Sequence, residues 1–270
     1  AIGFTALAAN TTASNNTAVG HQALDANTTG VQNSALGAGA LGSVTTGNNN
    51  VGLGVGAGGA TTTGGSNIAI GISALASNTT SGQNIAIGQD TLFYNTAEYN
   101  TAVGHNAMVA NTTGTANVAV GASALAVNTT GDQNTAVGKS AGASNTTGVR
   151  NTFLGAGAAP SNTTGSYNVG VGGAGSDNYN VLNNNTSGAQ LTAVGTGTLA
   201  RNTTGIDNTA LGAYALNQNT TASWNTAVGT SALSANQTGQ LNVAIGVNAM
   251  TAVNTGSGHV AIGATALEDN

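Results

Sequence analysis

The chain has 270 residues, of which three are Lys or Arg and eight are Asp or Glu, so that 4% are charged. An ordinary globular domain carries roughly a quarter charged residues. Three basic residues cannot neutralise a run of phosphates, which excludes nucleic-acid binding, and no segment approaches the ~18 consecutive apolar residues of a membrane-spanning helix. The shortage of titratable side chains argues against acid–base catalysis, so we expect no enzyme and no cofactor. The absence of Cys excludes disulfides and thiolate metal sites.

The sequence is periodic, with a unit of 17 residues. Its consensus is N-T-A-V-G-x-x-A-L-x-x-N-T-T-G-x-x, as in Asn16–Gln32, and we number the positions of the unit 1 to 17. The units open at the following residues: Asn16, Asn33, Asn50, Asn67, Asn84, Asn100, Asn117, Asn134, Asn151, Asn168, Leu191, Asn208, Asn225, Asn242 and His259. One residue is missing before Asn100, and six are inserted before Leu191.

This period predicts an all-β fold, a parallel β-solenoid (β-roll) of about sixteen 17-residue coils that spans residues 1–270 as one array. Helical repeats have units of about 33 residues or more, and Gly, Thr and Asn at fixed positions disfavour a helix. Each coil is predicted to contain a strand at T-A-V-G, a second short strand at A-L and a turn at N-T-T-G.

Alternation along the first strand predicts which side chains face the coil interior. We predict that positions 4 and 9 lie inside and that the Ala of position 3 lies outside, where a flat strip of small residues would contact another chain. The interior pairs would be Val19 with Leu24, Ile70 with Leu75, and Leu211 with Leu216. With the opposite parity, the Val and Ile side chains would lie outside and would need a partner to cover them. Both arrangements therefore predict self-association.

Asparagine recurs at positions 1 and 12, which predicts side-chain amides stacked from coil to coil. His259 replaces one of these asparagines, and its ring is expected to imitate the hydrogen bonding of the amide. Gly at position 15 is expected to supply a positive φ in the turn. The same N-T-T turns match the N-glycosylation sequon, and some glycan decoration is the alternative to a purely structural role. The glycosylation candidates are Asn27, Asn78, Asn111, Asn128, Asn145 and Asn162.

The strands at Gln83–Gly88, Ala116–Gly121 and Leu241–Gly246 resemble the N-S-V-A-I-G repeat in the head domains of YadA-like trimeric autotransporter adhesins. The longer unit is also similar to repeats of phage tail-fibre-like proteins. This resemblance covers essentially every coil. It implies a β-roll in a side-by-side homotrimer, and a role as a surface adhesin head, tail-fibre shaft or extracellular filament at a cell surface or on a virion.

The insertion, residues 173–184, is the main interruption of the array. Gly172–Tyr179 matches one copy of a calcium-binding glycine-rich repeat. One copy supplies a single carboxylate, Asp177, whereas calcium takes six or more oxygen ligands, so the metal site is a weak candidate. An ordinary surface bulge and a receptor-contacting loop are the other interpretations, and the contact candidates are Asp177, Asn178, Tyr179 and Asn180.

Aromatic residues close three of the units: Tyr99, Tyr167 and Trp224. Exposed rings could bind a surface glycan or matrix ligand, and local packing over a turn is the alternative. His21 and His105 share a position but lie five coils apart, too far for a shared metal.

Thr recurs at fixed positions of the repeat, and ice-binding solenoids present flat rows of Thr. Ice binding is therefore a further alternative. The adjacent pair Thr28-Thr29 would point to opposite faces of a strand, and Val or Ile often replaces the Thr of position 2, which both count against a flat ice-binding face. Neither end of the sequence carries a recognisable polar cap. We therefore expect a segment of a longer fibre or a unit that stacks end to end.

Overall fold

The fold is a parallel β-solenoid, described by a computed structural model for residues 1–173 and 179–268. The chain divides into two compact units, Ala1–Gln133 and Asn134–Asn270. The first unit contains β1 (Thr17–Val19), β2 (Ser34–Leu36), β3 (Val51–Leu53), β4 (Ile68–Ile70), β5 (Ile85–Ile87), β6 (Thr101–Val103) and β7 (Val118–Val120). The second unit contains β8 (Thr135–Val137), β9 (Thr152–Leu154), β10 (Val169–Val171), β11 (Thr192–Val194), β12 (Thr209–Leu211), β13 (Thr226–Val228), β14 (Val243–Ile245) and β15 (Val260–Ile262). The described residues contain no helix, which confirms the predicted fold class.

Within each unit, every strand pairs in parallel with the next strand along the chain, and equivalent positions of the repeat face each other. Thr17 pairs with Ser34, and the pairing of Ile85 with Thr101 stays in this register although their coil lacks one residue. The insertion likewise leaves Val169 paired with Thr192. The partial first copy contributes only a bridge between Ile2 and Val19, so the described residues form fifteen strands where about sixteen coils were expected.

The predicted second strand, at the Ala-Leu pair, is wrong. In the described coils other than the one with the insertion, this segment is a tight corner in which positions 7 and 9 adopt left-handed conformations, as in Gln22 (φ 56°) and Leu24 (φ 51°). The corner is closed by the amide of Ala23, which donates to the carbonyl of Gly20 at 3.3 Å. The amide of Leu24 still donates to Ala40 of the next coil, at 3.1 Å, so the corner continues the stacking of coils without forming a sheet.

The predicted parity of the strand is also wrong. Ala18, at position 3, is buried at 1% exposure, whereas Leu211, at position 4, is 47% exposed. Leu24 and most of its equivalents at position 9 are fully buried, as predicted; Leu267, in the last coil, is 39% exposed. The interior therefore consists of two Ala columns, a Leu column and the two Asn columns, while the Thr, Val, Ile and Leu of positions 2 and 4 point outward.

Both predicted asparagine ladders are present. At position 1, the backbone amide of Asn50 donates to Oδ1 of Asn33 at 2.9 Å, and Nδ2 of Asn50 donates to the carbonyl of Gly64 at 2.9 Å. At position 12, Nδ2 of Asn128 donates to Oδ1 of Asn111 at 2.9 Å. These side chains are fully buried, so their amides satisfy polar groups that the turn would otherwise leave unpaired.

Glycine at position 15 has a different role from the predicted one. Gly30 has no positive φ, but a Cβ atom there would lie 2.3 Å from the carbonyl oxygen of Gly47 and 2.5 Å from Oδ1 of Asn27. The carbonyl of Gly30 accepts hydrogen bonds from both ladders, from Asn16 at 2.8 Å and from Asn27 at 3.0 Å. Glycine therefore lets the backbone approach the two amide columns closely.

The position-12 ladder is interrupted at Val44 and Thr61, which leaves Oδ1 of Asn27 and Oγ1 of Thr61 buried without hydrogen-bond partners. We expect Val44→Asn to raise the free energy of unfolding by about 1 kcal/mol, because the new amide can donate to Asn27 and accept from Thr61. Urea denaturation followed by circular dichroism measures this change. Val44→Ala is the control and should destabilise the protein; a loss of stability in Val44→Asn would contradict the ladder argument.

At the other ladder, His259 follows Asn242, and its backbone amide donates to Oδ1 of Asn242 at 2.9 Å. Its ring does not imitate the asparagine amide, because Nδ1 is buried and has no partner among the described residues. Leu191 is a second replacement in this column, and its backbone amide donates to Oδ1 of Asn168 at 3.0 Å. In both places the backbone amide keeps its bond to the preceding asparagine, although the side chain of the column has changed.

Candidate functional site

The six glycosylation candidates lie in the position-12 ladder. Asn27, Asn78, Asn111, Asn128, Asn145 and Asn162 are each fully buried. Their Nδ2 atoms, to which a glycan would be attached, donate to the carbonyl of position 15 in the same turn, as Asn128 does to Gly131 at 2.9 Å. A glycan on this nitrogen would have to displace the interior of the coil. In the folded chain, the amide nitrogen that a glycan would modify is already bonded inside the coil.

The insertion is described only in part. Asp177 and Asn178, and with them the calcium candidate, lie outside the described residues. The hydroxyl of Tyr179 accepts a hydrogen bond from Nη2 of Arg201 at 2.9 Å, and the guanidinium lies 5.7 Å from the ring centre. Nδ2 of Asn180 donates to Asn183 at 3.2 Å. Tyr179 is therefore held against the side of the solenoid by a cation that sequence reasoning did not identify.

The three aromatic residues at unit ends share position 17 and a left-handed backbone, with φ of 63° at Tyr99, 60° at Tyr167 and 61° at Trp224. Each side chain is at least half exposed. Arg150 covers Tyr167: its Nη1 donates to the phenolic oxygen at 2.7 Å, and the guanidinium lies 5.4 Å from the ring centre. Within the described ranges, no ring or guanidinium stacks on Tyr99, whose side chain is 57% exposed.

The coil that lacks one residue forms an open recess of about 480 Å³ beside Tyr99. In this coil Ala97 has the role of position 15, because its carbonyl accepts from Asn84 at 2.9 Å and from Asn95 at 2.7 Å. The missing residue is therefore the second Thr of the turn. The recess is lined by Ser81, Thr96, Ala97, Glu98, Tyr99, Thr113 and Thr115.

Glu98 occupies position 16. In other coils, polar side chains at this position accept hydrogen bonds from the backbone of a neighbouring coil. Asp132 accepts from the backbone amide of Thr115 at 2.6 Å, and Ser166 accepts from that of Val149 at 3.0 Å. In the part of the chain that the structure describes, the exposed carboxylate of Glu98 accepts no hydrogen bond. We did not identify Glu98 as a site residue from sequence, although the shortened spacing before Asn100 marks the place.

The outward strand face is the second feature that could interact with a partner. At positions 2 and 4 of the fifteen described strands, every residue is Thr, Ser, Val, Ile or Leu, and none is charged. Exposed members include Leu36 at 50%, Leu53 at 42% and Leu211 at 47%. Between β1 and β3 the face contains an apolar hollow of about 150 Å³ lined by Val19, Leu36 and Leu53.

Titratable residues are dispersed. Residues 1–173 and 179–268 contain no group of three His, Cys, Asp or Glu residues that could hold a metal ion. No helix of the described chain is long and apolar enough to cross a membrane.

Three comparisons with known proteins were made, and none identifies a relative. No protein-family model, no curated protein and no solved structure matches this chain.

Proposed function

We propose that this chain is a non-catalytic structural segment of an extracellular fibre, at a cell surface or on a virion, that assembles side by side into a homotrimer. The observation that carries the proposal is the outward face of the strands, which is uncharged in every described coil. The resemblance of the repeat to adhesin heads and tail fibres supports the extracellular placement and the number of chains.

A parallel sheet is normally covered on both faces. Here the coil interior covers one face, through residues such as Ala18 and Ala35, while Leu36 and Leu53 on the other face are exposed. Within each unit, the strip of Val, Ile, Leu, Thr and Ser is larger than the isolated apolar residues of an ordinary surface, and such strips mark interaction sites. The face therefore needs a partner.

A second copy of the same chain fits this face best. Strands within each unit repeat about 4.8 Å apart, and a partner that packs closely along many of them must repeat with the same spacing. Another copy of the array supplies that spacing, together with side chains of matching size and no charge that association would have to desolvate. An unrelated globular partner would match only a few strands.

Leu53→Lys tests the interface, because it places a charge on the strand face. We expect the wild-type chain to have a mass about three times 25.7 kDa by light scattering, and Leu53→Lys to dissociate. Val127→Lys is the matched control, because Val127 and Leu53 are both 42% exposed but Val127 lies at position 11, away from the strands. A monomeric wild-type chain at micromolar concentration would refute the proposal.

Ice binding is the second candidate function, and it would use the same face. The Thr residues of position 2, such as Thr192, Thr209 and Thr226, point outward on successive strands in register. Of the adjacent pair, Thr28 donates its hydroxyl to the carbonyl of Thr45 at 3.1 Å, so this hydroxyl is already bonded to the next coil. Thermal hysteresis and ice shaping by a monomeric chain would establish this function in place of the fibre.

A further inference from the structure

We propose that the recess at the shortened coil binds a neutral hexose unit of a carbohydrate chain, with Tyr99 as the stacking platform and Glu98 as the principal hydrogen-bond acceptor. Six described residues besides Tyr99 line the recess, and four of them carry hydroxyl groups: Ser81, Thr96, Thr113 and Thr115. This inference is independent of the homotrimer.

The recess lies at the turn from which one Thr is missing. In the neighbouring coils this position is occupied by Thr80 and Thr113, and the coil between them has no counterpart. The strands nevertheless keep their register, since Ile85 still pairs with Thr101. The deletion is therefore absorbed in the turn, and the recess beside that turn, of about 480 Å³, is within the usual size range of small-ligand sites.

Tyr99 supplies an exposed apolar surface at the recess. Its backbone is held in a left-handed conformation (φ 63°), and its side chain is 57% exposed. The C–H groups on one face of a hexose ring can pack on an aromatic face, as apolar groups generally do. Tyr167 has the same position in its coil, but the guanidinium of Arg150 already covers it. Tyr99 is therefore the better platform.

Glu98 supplies charged acceptor oxygens beside that platform. A carboxylate can accept two hydrogen bonds from neighbouring hydroxyl groups, and hydrogen bonds to a charged group are stronger than those between neutral groups. Because the carboxylate of Glu98 is not used by a backbone amide, as that of Asp132 is, it is available to a ligand. Ser81 donates its own hydroxyl to the carbonyl of Thr96, which fixes one wall of the recess.

The charge of the site favours a neutral sugar. The chain has a formal net charge of −5, and the recess contains the carboxylate of Glu98 and no Lys or Arg. An acidic sugar would be repelled by this carboxylate and would find no cation to offset the repulsion.

The test is binding of the full chain to an array of neutral oligosaccharides built from glucose, galactose, mannose and N-acetylglucosamine, followed by titration of the strongest binder. We expect Tyr99→Ala to weaken binding about tenfold and Glu98→Gln about fivefold. Tyr94→Ala is the matched control, because Tyr94 is 55% exposed, comes from the same coil and lies outside the recess.

A second variant tests the recess itself. Insertion of one Thr between Thr96 and Ala97 restores the 17-residue coil and should fill the opening, so we expect it to abolish binding while circular dichroism and light scattering stay unchanged. Failure of every array member to bind, or unchanged affinity in Tyr99→Ala or in the insertion variant, overturns the proposal. Binding and oligomeric state are measured separately, so none of these outcomes bears on the proposed homotrimer, which Leu53→Lys tests.

Discussion

Gly104→Ala is expected to lower the free energy of unfolding by more than about 3 kcal/mol and to leave little folded protein at 37 °C. Gly104 has φ of +132°, a conformation that residues with a Cβ atom rarely adopt. A Cβ atom would also lie 2.6 Å from the carbonyl carbon and 2.7 Å from the oxygen of Gly121 in the next coil. Backbone atoms cannot move aside as a flexible side chain can, so strain and overlap add. All sixteen copies of this position are glycine.

The control for this prediction is Gly39→Ser. Gly39 also has a positive φ, of +66°, but no atom lies within 4 Å of the place where its Cβ atom would be. Ser73 and Ser123 occupy the same position in other coils, with φ of 55° and 57°. We expect this variant to lose about 1 kcal/mol or less in urea denaturation followed by circular dichroism. Equal losses in the two variants would show that close stacking of the coils does not explain the invariant glycine.

The architecture could be predicted from the period, but the direction of the side chains along the strand was predicted wrongly. Stacking in register, the asparagine ladders and the buried Leu24 all follow from a 17-residue repeat. The parity error arose because bulky Val19 was assigned to the interior on its hydrophobicity alone. Positions 1 and 3 lie on the same side of a strand, so a buried Asn16 column requires a buried Ala18 column. The two amide ladders occupy much of the interior, so the space left at position 3 fits a small Ala side chain.

The candidate site could be predicted only in part. Tyr99 was identified from its place at the end of a unit, and the shortened spacing before Asn100 was visible in the sequence. The recess was not predicted, because its depth depends on the flanking turns that contain Ser81 and Thr113. The free carboxylate of Glu98 also depends on geometry, since the same position in another coil, Asp132, is bonded to a backbone amide.

Phe153 stands where most other coils have the Ala of position 3. The structure explains this exception, because smaller neighbours make room for the ring. Phe153 is fully buried, paired with Ala136 on one side and Gly170 on the other. In its own coil the Leu of position 9 is replaced by Ala159, and in the preceding coil by Gly142. A Cβ atom on Gly170 would lie 3.4 Å from the Phe153 ring. The ring therefore fills the volume that three small neighbours vacate.

Phe153→Ala should consequently destabilise the protein by about 3–5 kcal/mol, because the ring leaves a cavity that the narrow coil cannot close. Ala159→Leu alone should also destabilise it, by about 1–3 kcal/mol, because the added atoms compete with the ring for one space. Together the two substitutions restore the consensus pairing of Ala with Leu, so the double variant should be at least about 2 kcal/mol more stable than Phe153→Ala. Urea denaturation of the three variants measures this coupling. Phe93→Ala, at a half-buried position, is the control and should cost less than Phe153→Ala. If the double variant loses the sum of the two single losses, the two side chains do not share one space, and the compensation argument is wrong.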